Sequence, residues 1–304
     1  MDAIIKLSSM GDIIHSLVVL PKLDKKIDFI VDDSFKDILN YNPHINKIVP
    51  IKLRAAKRDK KLFLSEFNKI KTLNYENVYD LQGLLKSAIV AKIIGKNIIG
   101  YKNSREKIAS LFYNKKIYSK KDFAIERYLE LFSIQDWHYL QNHPNLLFYK
   151  DKDFDELSNN KQNIIFIIGA SWECKKTPIS IWKELVKYFK NENIIIPYAN
   201  EDEYKFALEI AKNSDNIVIN KYSLNDLKAI ISKANLLIGN DTGPSFIAWA
   251  NNVNNIILYG CTYNNKIIKN RYSKSVEVQK TINKKLNVID KLDIKKIIKK
   301  VEEF

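Results

Sequence analysis

The chain contains 304 residues, of which 46% are hydrophobic and 28% are charged. This length suits two domains of about 150 residues each. No apolar run reaches the roughly 18 to 20 residues that a membrane-spanning helix needs. The acidic second residue and the early Gly-Asp pair are unlike a secretory signal peptide. We therefore expect a two-domain globular protein without a membrane span or a leader.

Basic residues outnumber acidic ones by 50 to 35, which gives a formal net charge of +15. Such an excess attracts nucleic acid, an anionic membrane face or phosphorylated substrates. The abundance of Lys, Ile and Asn throughout the chain is also what an AT-rich genome produces. Because no RRM, KH, zinc-finger or helix-turn-helix signature is present, a nucleic-acid-binding function has the charge alone in its favour, and we expect no nucleic-acid partner.

Cysteine and histidine are both scarce. The two cysteines, Cys174 and Cys261, are too few for a disulfide framework or a thiolate metal cluster, so we expect a reducing compartment, the cytoplasm. The four histidines form neither HExxH nor another metal-ligand spacing. We therefore expect no metal and no cofactor.

Short apolar runs alternate with segments of helical period in the first half of the chain, a pattern typical of α/β proteins with parallel sheets. The segment from Lys52 to Lys71 is different, because it is strongly basic and predicts an exposed loop that leads into a helix. The predicted strands are Ala3–Leu7, Asp28–Val31, Val78–Leu81 and Asn97–Gly100, and the predicted helices are Asp12–Leu23 and Gly83–Ile94.

The polar stretch 150–162 predicts a linker, after which the same pattern restarts. We predict two doubly wound Rossmann-like domains, residues 1–155 and 160–304, that face each other across a cleft. The tail Asp290–Val301 predicts an amphipathic helix packed on one domain, with a membrane-surface role as an alternative. The predicted strands are Ile164–Ile168, Asn193–Pro197, Ile217–Ile219, Leu236–Ile238 and Asn255–Tyr259, and the helices between them are Pro178–Lys190, Asp202–Lys212, Ser223–Lys233 and Pro244–Asn251.

The segment KLSSMGD, residues 6–12, connects the first predicted strand to its helix. In doubly wound sheets this turn lies at the carboxyl edge, where ligands bind. Ser8, Ser9 and Gly11 allow close approach of a ligand to the backbone. Asp12 is a candidate general base for a sugar hydroxyl, or alternatively the N-cap of the helix.

Two turns of the second half have the same position after a predicted strand. GNDTGPS, residues 239–245, suits a diphosphate at a helix N-terminus, although an ordinary turn has the same composition. GASWECKKTP, residues 169–178, contains Lys175 and Lys176, which either neutralise a phosphate or remain solvated. The glycines form neither GxGxxG nor a complete phosphate loop, so a dinucleotide site is not indicated.

Lys86 and Arg105 follow strand ends in the first half. An arginine there can hold a carboxylate or phosphate through two parallel hydrogen bonds. A surface ion pair of Arg105 with Glu106 or another neighbour is the alternative.

Together these segments resemble the heptosyltransferases of lipopolysaccharide core synthesis, glycosyltransferase family 9. The resemblance covers nearly the whole chain, in the family's order and spacing. It implies a GT-B fold, an N-terminal acceptor half and a C-terminal half that binds ADP-heptose. It further implies metal-free transfer with inversion to Kdo-lipid A, by a protein peripheral to the cytoplasmic face of the inner membrane. The segments are KLSSMGDIIHSL, VYDLQGLLKSA, NSREKIASLFYN, AIERYLELF, LIGNDTGPSFIAWA and LYGCT.

The resemblance also implies roles for single residues. Asp12 matches the family's base, and Phe246 stands where the family usually has His. SREKIASLFYN favours transfer of the first heptose; transfer of the second heptose, or use of another nucleotide sugar, is the alternative. The implied donor-binding residues are Ser171, Lys176, Glu203, Tyr222, Asp241, Thr242 and Gly243, and the acceptor-binding residues are Ser9, Gly11, Arg54, Arg58, Lys86 and Arg105.

Overall fold

The computed structural model describes residues 1–53, 59–136, 138–262, 270–278 and 289–304. The chain divides into two compact units, Met1–Phe148 and Tyr149–Phe304. The division falls directly before the polar stretch 150–162. Among the described residues, each unit contains one six-stranded parallel sheet with helices packed on it.

The first sheet has the strand order β3-β2-β1-β4-β5-β6, with all neighbours parallel. This is a doubly wound order, in which the chain reverses direction across the sheet between β1 and β4. The strands are β1 (Asp2–Ile5), β2 (Ile27–Asp32), β3 (Ile45–Ile51), β4 (Tyr75–Asp80), β5 (Gly95–Tyr101) and β6 (Lys115–Ile117). The α-helices are α1 (Met10–Ser16), α2 (Lys60–Lys71), α3 (Leu85–Ile94) and α4 (Ala124–Leu131), and 3-10 helices lie at Leu17–Lys22, Asp33–Leu39, Lys107–Phe112 and His138–Gln141.

The first predicted helix, Asp12–Leu23, is only partly correct. Helix α1 begins after its N-cap Ser9 and ends at Ser16, and the chain continues as the 3-10 helix Leu17–Lys22. Pro21 lies within that second segment. Because proline lacks an N–H donor and its ring crowds the preceding turn, a continuous α-helix cannot extend through this position.

The second unit repeats the topology of the first. Its strand order, β12-β11-β10-β7-β8-β9, places the reversal between β7 and β10. The strands are β7 (Asn163–Ile167), β8 (Asn193–Pro197), β9 (Ile217–Asn220), β10 (Leu236–Asn240), β11 (Asn255–Tyr259) and β12 (Ser273–Glu277). The α-helices are α5 (Ile179–Tyr188), α6 (Glu201–Ala211), α7 (Leu224–Ser232), α8 (Ser245–Ala250) and α9 (Ile294–Val301), and 3-10 helices lie at Glu173–Lys175 and Ile289–Lys291.

The tail helix α9 packs on the second unit. It begins at Ile294, where the carboxylate of the N-cap Asp293 accepts a hydrogen bond from the Lys295 N–H at 2.9 Å. Ile297 is fully buried in the core of this unit, and Ile294 and Val301 pack against the same core. Across the described part of the chain, no helix is both long and apolar enough to cross a membrane.

Candidate functional site

In the first unit, the loops that follow β1 and β4 are joined at the point where the chain reverses across the sheet. The Lys6 Nζ donates to the Leu81 carbonyl oxygen at 3.2 Å. The Gln82 Oε1 accepts from the backbone N–H groups of Leu7 and Ser8, at 3.0 and 3.1 Å. The sequence analysis missed Lys6 and Gln82, although Lys6 directly follows β1 and Gln82 lies two residues after β4, at the edge where ligands of this fold bind.

Asp12 lies in the first turn of α1, and Ser9 is the N-cap. The Asp12 Oδ2 accepts hydrogen bonds from the Ser9 N–H at 3.2 Å and from the Ser9 hydroxyl at 2.9 Å. Burial lowers the pKa of Lys6, whereas the charges of Asp12 and Asp80 raise it. Because Ser9 is the N-cap, the alternative that Asp12 itself caps α1 is wrong. The Asp12 carboxylate is partly exposed and lies within electrostatic range of the buried Lys6.

Asp80 organises the loop that leads into α3. Its Oδ1 accepts from the N–H groups of Gln82 and Gly83, and its Oδ2 accepts from the hydroxyls of Ser87 and Tyr113 at 2.9 and 2.8 Å. Gly83 has a φ of +65°, which favours glycine. Burial raises the pKa of Asp80, and these hydrogen bonds oppose that shift. The carboxyl group thus fixes the loop while remaining shielded from solvent.

Arg105 lies beside this loop, because the N–H of its neighbour Glu106 donates to the Gly83 carbonyl at 3.0 Å. The Glu106 carboxylate accepts from the Leu85 N–H at 2.7 Å. Arg105 is exposed and Lys86 is half-buried. The structure therefore brings the segments of Lys86 and Arg105 together in the first unit. The other two predicted acceptor residues, Arg54 and Arg58, lie outside the described residues.

In the second unit, a buried lysine pairs with Asp241 at the carboxyl end of β10. The Lys175 Nζ contacts the Asp241 carboxylate and donates to the Asp241 carbonyl oxygen at 3.1 Å. The Thr262 hydroxyl donates to Asp241 Oδ2 at 2.9 Å. The Lys175 side chain is 10% exposed, whereas that of Lys176 is 48% exposed and pairs with Glu173 at 2.7 Å. The family resemblance assigned Lys176 to the donor site, but the lysine beside Asp241 is Lys175.

Asn240, the last residue of β10, connects the loops that follow β7 and β10. Its Nδ2 donates to the Ile168 carbonyl at 2.7 Å, and its Oδ1 accepts from the Thr177 hydroxyl at 2.6 Å. The Ser245 hydroxyl donates to the Asn240 carbonyl at 2.6 Å. The hydroxyl oxygen of Thr242 is buried and has no hydrogen-bond partner among the described residues. A buried hydroxyl in this condition is costly, which makes Thr242 a candidate contact for a polar ligand.

Cys174 and Cys261 form a disulfide, with their Cα atoms 5.5 Å apart. The sequence analysis excluded only a disulfide framework and did not predict this single cross-link, in which the fold brings together two residues separated by 87 positions. The Cys261 N–H also donates to the Cys174 carbonyl at 3.2 Å. The neighbours of the two cysteines, Lys175 and Thr262, both contact Asp241, so the cross-link directly supports this cluster.

The other predicted donor residues have different surroundings. The Glu203 carboxylate lies against Gly169, after β7, and accepts from the Ala199 N–H at 2.8 Å. Tyr222 follows the outer strand β9 and donates to Glu156 at 3.3 Å. Ser171 is exposed. Glu203 and Tyr222 therefore both lie at the carboxyl edge of the sheet, as Asp241 does, but Tyr222 follows the outermost strand β9, three strands away from β10.

Phe246 occupies the position where the family usually has His. It is 2% exposed within α8, so its ring belongs to the core of the second unit. Gly243 lies in the turn between β10 and α8, and it is half-buried. Within the described ranges, no group of three or more His, Cys, Asp or Glu residues is placed to hold a metal ion.

The family model for glycosyltransferase family 9, the heptosyltransferases, matches residues 64–298. The chain belongs to this family. It is 36% identical to lipopolysaccharide heptosyltransferase 1 of Campylobacter coli, over 98% of each chain. It is 27% identical to the protein of the same name from Escherichia coli K12, over 85% of this chain and 87% of that one.

A solved structure of the E. coli heptosyltransferase WaaC with ADP has the same fold, with a TM-score of 0.82 and 23% identity over 99% of each chain. The predicted α/β fold of the GT-B class is thereby confirmed. Membership of glycosyltransferase family 9 also confirms the resemblance drawn from the motifs, and it makes this protein a glycosyltransferase.

Proposed function

We propose that this glycosyltransferase moves L-glycero-D-manno-heptose from ADP-heptose to the Kdo of Kdo-lipid A, in synthesis of the lipopolysaccharide inner core. The relatives named lipopolysaccharide heptosyltransferase 1 support this substrate pair. The observation that carries the proposal is the buried cluster of Lys175, Asp241 and Thr262, next to the buried Thr242 hydroxyl. This cluster lies where doubly wound sheets bind their ligands, at the reversal between β7 and β10.

For the donor, we assign to Lys175 the phosphate-binding role that the family resemblance gave to Lys176. An ammonium group in a site with little water interacts with a phosphate more strongly than one at the surface. Lys175 meets this condition, whereas the side chain of Lys176 is half exposed. The Thr242 hydroxyl supplies a further polar contact for the donor. Glu203, held against Gly169 at the same edge, is suited to accept hydrogen bonds from sugar hydroxyls.

For the acceptor, Asp12 acts as the general base. As the acceptor oxygen bonds to the anomeric carbon of heptose, its proton moves to the Asp12 carboxylate and the bond from that carbon to the ADP oxygen breaks. This single displacement inverts the anomeric configuration. The negative charge that develops on ADP is stabilised by Lys175. Since this lysine supplies the positive charge, we propose that the reaction proceeds without a metal.

The decisive experiment incubates the purified protein with ADP-heptose and Kdo-lipid A, in the presence and absence of EDTA. We expect heptosylated lipid, one ADP released per product, no effect of EDTA, and an inverted anomeric linkage by NMR. A monoheptosylated acceptor and other nucleotide sugars are offered in parallel. Faster turnover with either would assign transfer of the second heptose or a different donor, and retained configuration would exclude the single displacement.

Substitutions in the basic segment Lys52–Lys71, where the sequence predicts an exposed loop, test the acceptor half separately. Because the Kdo carboxylates and lipid A phosphates are acidic, we expect Arg54→Gln/Arg58→Gln to raise the KM for the acceptor. The salt dependence of that KM should also become flatter, because the screening length falls from about 10 Å at 0.1 M salt to about 3 Å at 1 M. The KM for ADP-heptose should stay unchanged. The control Lys183→Gln/Lys187→Gln neutralises two lysines on α5 of the second unit. Equal effects of both double variants would remove the loop from acceptor recognition.

A further inference from the structure

The 3-10 helix Lys107–Phe112 turns two large aliphatic side chains to solvent. Residues three apart are aligned in a 3-10 helix, so Ile108 and Leu111 share one face, and they are 51% and 73% exposed. Ala109 and Phe112 share another face, which packs against the core of the first unit. Packing against the described residues therefore does not explain the apolar character of Ile108 and Leu111.

A third exposed aliphatic residue lies on the neighbouring helix. Helix α3 packs beside this 3-10 helix, and its Ile89 is 42% exposed. The helical spacing of three residues places Lys86 and Lys92 on either side of Ile89. We call Ile89, Ile108 and Leu111 the apolar patch.

Basic residues surround the apolar patch. Residues 102–121 contain seven Lys or Arg and one acidic residue, Glu106, whose carboxylate accepts from the backbone of Leu85. Lys107 is exposed at the start of the 3-10 helix. On the edge strand β6, Lys116 lies opposite Gly100 of β5 in the strand register. A Cβ atom at position 100 would contact the ring of Tyr113, so Tyr113 lies on the side of the sheet to which that Cβ would point. Because Tyr113 belongs to the core beneath the 3-10 helix, Lys116 projects from that same side of the sheet.

We propose that the apolar patch, with Lys107 and Lys116, docks the protein on an anionic lipid bilayer. Aliphatic side chains enter the boundary between headgroups and acyl chains, and nearby lysines are attracted to anionic headgroups. Protein interfaces are instead depleted in lysine, which argues against a protein partner here. The inference extends the proposed function, since Arg105 lies in the same segment and the proposed acceptor is a lipid.

The test is co-sedimentation of the full-length protein with vesicles, without sugar nucleotide or acceptor. We expect binding to vesicles of phosphatidylethanolamine and phosphatidylglycerol, and weak binding to pure phosphatidylcholine. Leu111→Ser should lower the partition coefficient by about five- to tenfold, and Lys116→Gln by about fivefold. Leu208→Ser is the matched control, because Leu208 is 47% exposed on α6 of the second unit, and it should bind as the wild type does.

Three results would overturn the proposal: failure of the wild type to bind anionic vesicles, equal binding to both kinds of vesicle, or wild-type binding by Leu111→Ser. A change in the sedimentation coefficient of Leu111→Ser without lipid would assign the apolar patch to a protein contact instead. With a lipid-free Kdo acceptor, Leu111→Ser should keep wild-type turnover. Vesicle binding by a wild type that transfers no heptose would overturn the proposed function and leave the docking surface standing.

Discussion

Replacing Lys175 by Met distinguishes the contribution of Lys175 from that of the adjacent Lys176 in the GASWECKKTP segment. The substitution keeps an unbranched side chain of similar length but removes the ammonium group from the buried Asp241 carboxylate. The matched control is Lys176→Met, since the Lys176 ammonium pairs with Glu173 near the surface, where the two side chains are 48% and 78% exposed.

The burial of each lysine sets how much its replacement by Met lowers the free energy of unfolding. Without Lys175, the fully buried Asp241 carboxylate keeps the hydrogen bond from Thr262 but has lost the positive charge. Removing one partner of a buried ion pair lowers the free energy of unfolding by about 3 to 5 kcal/mol. At roughly 2 to 4 °C per kcal/mol, Tm falls by about 6 to 20 °C. An exposed pair contributes about 0 to 1 kcal/mol, so Lys176→Met should leave Tm nearly unchanged.

Denaturant unfolding followed by circular dichroism measures these differences, and Asp241→Asn completes the cycle. Because the double variant Lys175→Met/Asp241→Asn contains no buried charge at this position, it should be more stable than Lys175→Met. Calorimetry should show ADP binding weakened roughly 10- to 150-fold by Lys175→Met, the range for a charge-assisted contact. Equal losses from Lys175→Met and Lys176→Met, or additive effects in the cycle, would refute the assignment of Lys175.

Three further predictions follow from single features. Asp12→Asn should lower turnover by about 100-fold or more without changing Tm, since the amide oxygen still accepts from Ser9; Asp293→Asn at the start of α9 should keep full turnover. Cys174→Ser/Cys261→Ser should lower the free energy of unfolding by about 4 to 5 kcal/mol, the chain-entropy value for a separation of 87 residues. Equal stability of the wild type with and without dithiothreitol would contradict this prediction. Burial lowers the pKa of His143, so below about pH 6.5 the unfolded state binds more protons than the folded state does. As the pH falls, the free energy of unfolding therefore decreases by up to about 1.4 kcal/mol per pH unit. Between pH 7.5 and pH 5.5, denaturant unfolding should show a smaller decrease for His143→Gln than for the wild type.

The sequence predicted the inner strands well, because a strand buried on both faces reads as a continuous apolar run. The predicted bounds of Asn193–Pro197 and Asn255–Tyr259 are those of β8 and β11. Strands β3, β6 and β12 were missed, and all three lie at an outer edge of a sheet. Edge strands are short or polar, and β3 contains Pro50, which is tolerated only where the N–H group is not needed by a neighbour.

At the candidate site, the motifs predicted the segments that the fold places after β1, β4, β7 and β10, but they did not show which side chains pair there. Asp241 is visible from its position after a strand, whereas nothing in Lys175-Lys176 tells which lysine points inward. That choice is made by the 3-10 turn Glu173–Lys175, whose last residue is buried. The disulfide was equally hidden, since pairing of residues 87 positions apart depends on the finished sheet.

The outer strands also determine how this protein behaves toward its own copies. An exposed sheet edge is a template for strand pairing between molecules, and charged residues on it oppose aggregation. Strand β6 carries Lys115 and Lys116, and strand β12 carries Lys274 and Glu277. Two β6 edges brought together would place lysines against lysines, at a cost in repulsion. The polar composition that hid strand β6 in the sequence therefore disfavours pairing of this edge with that of a second copy.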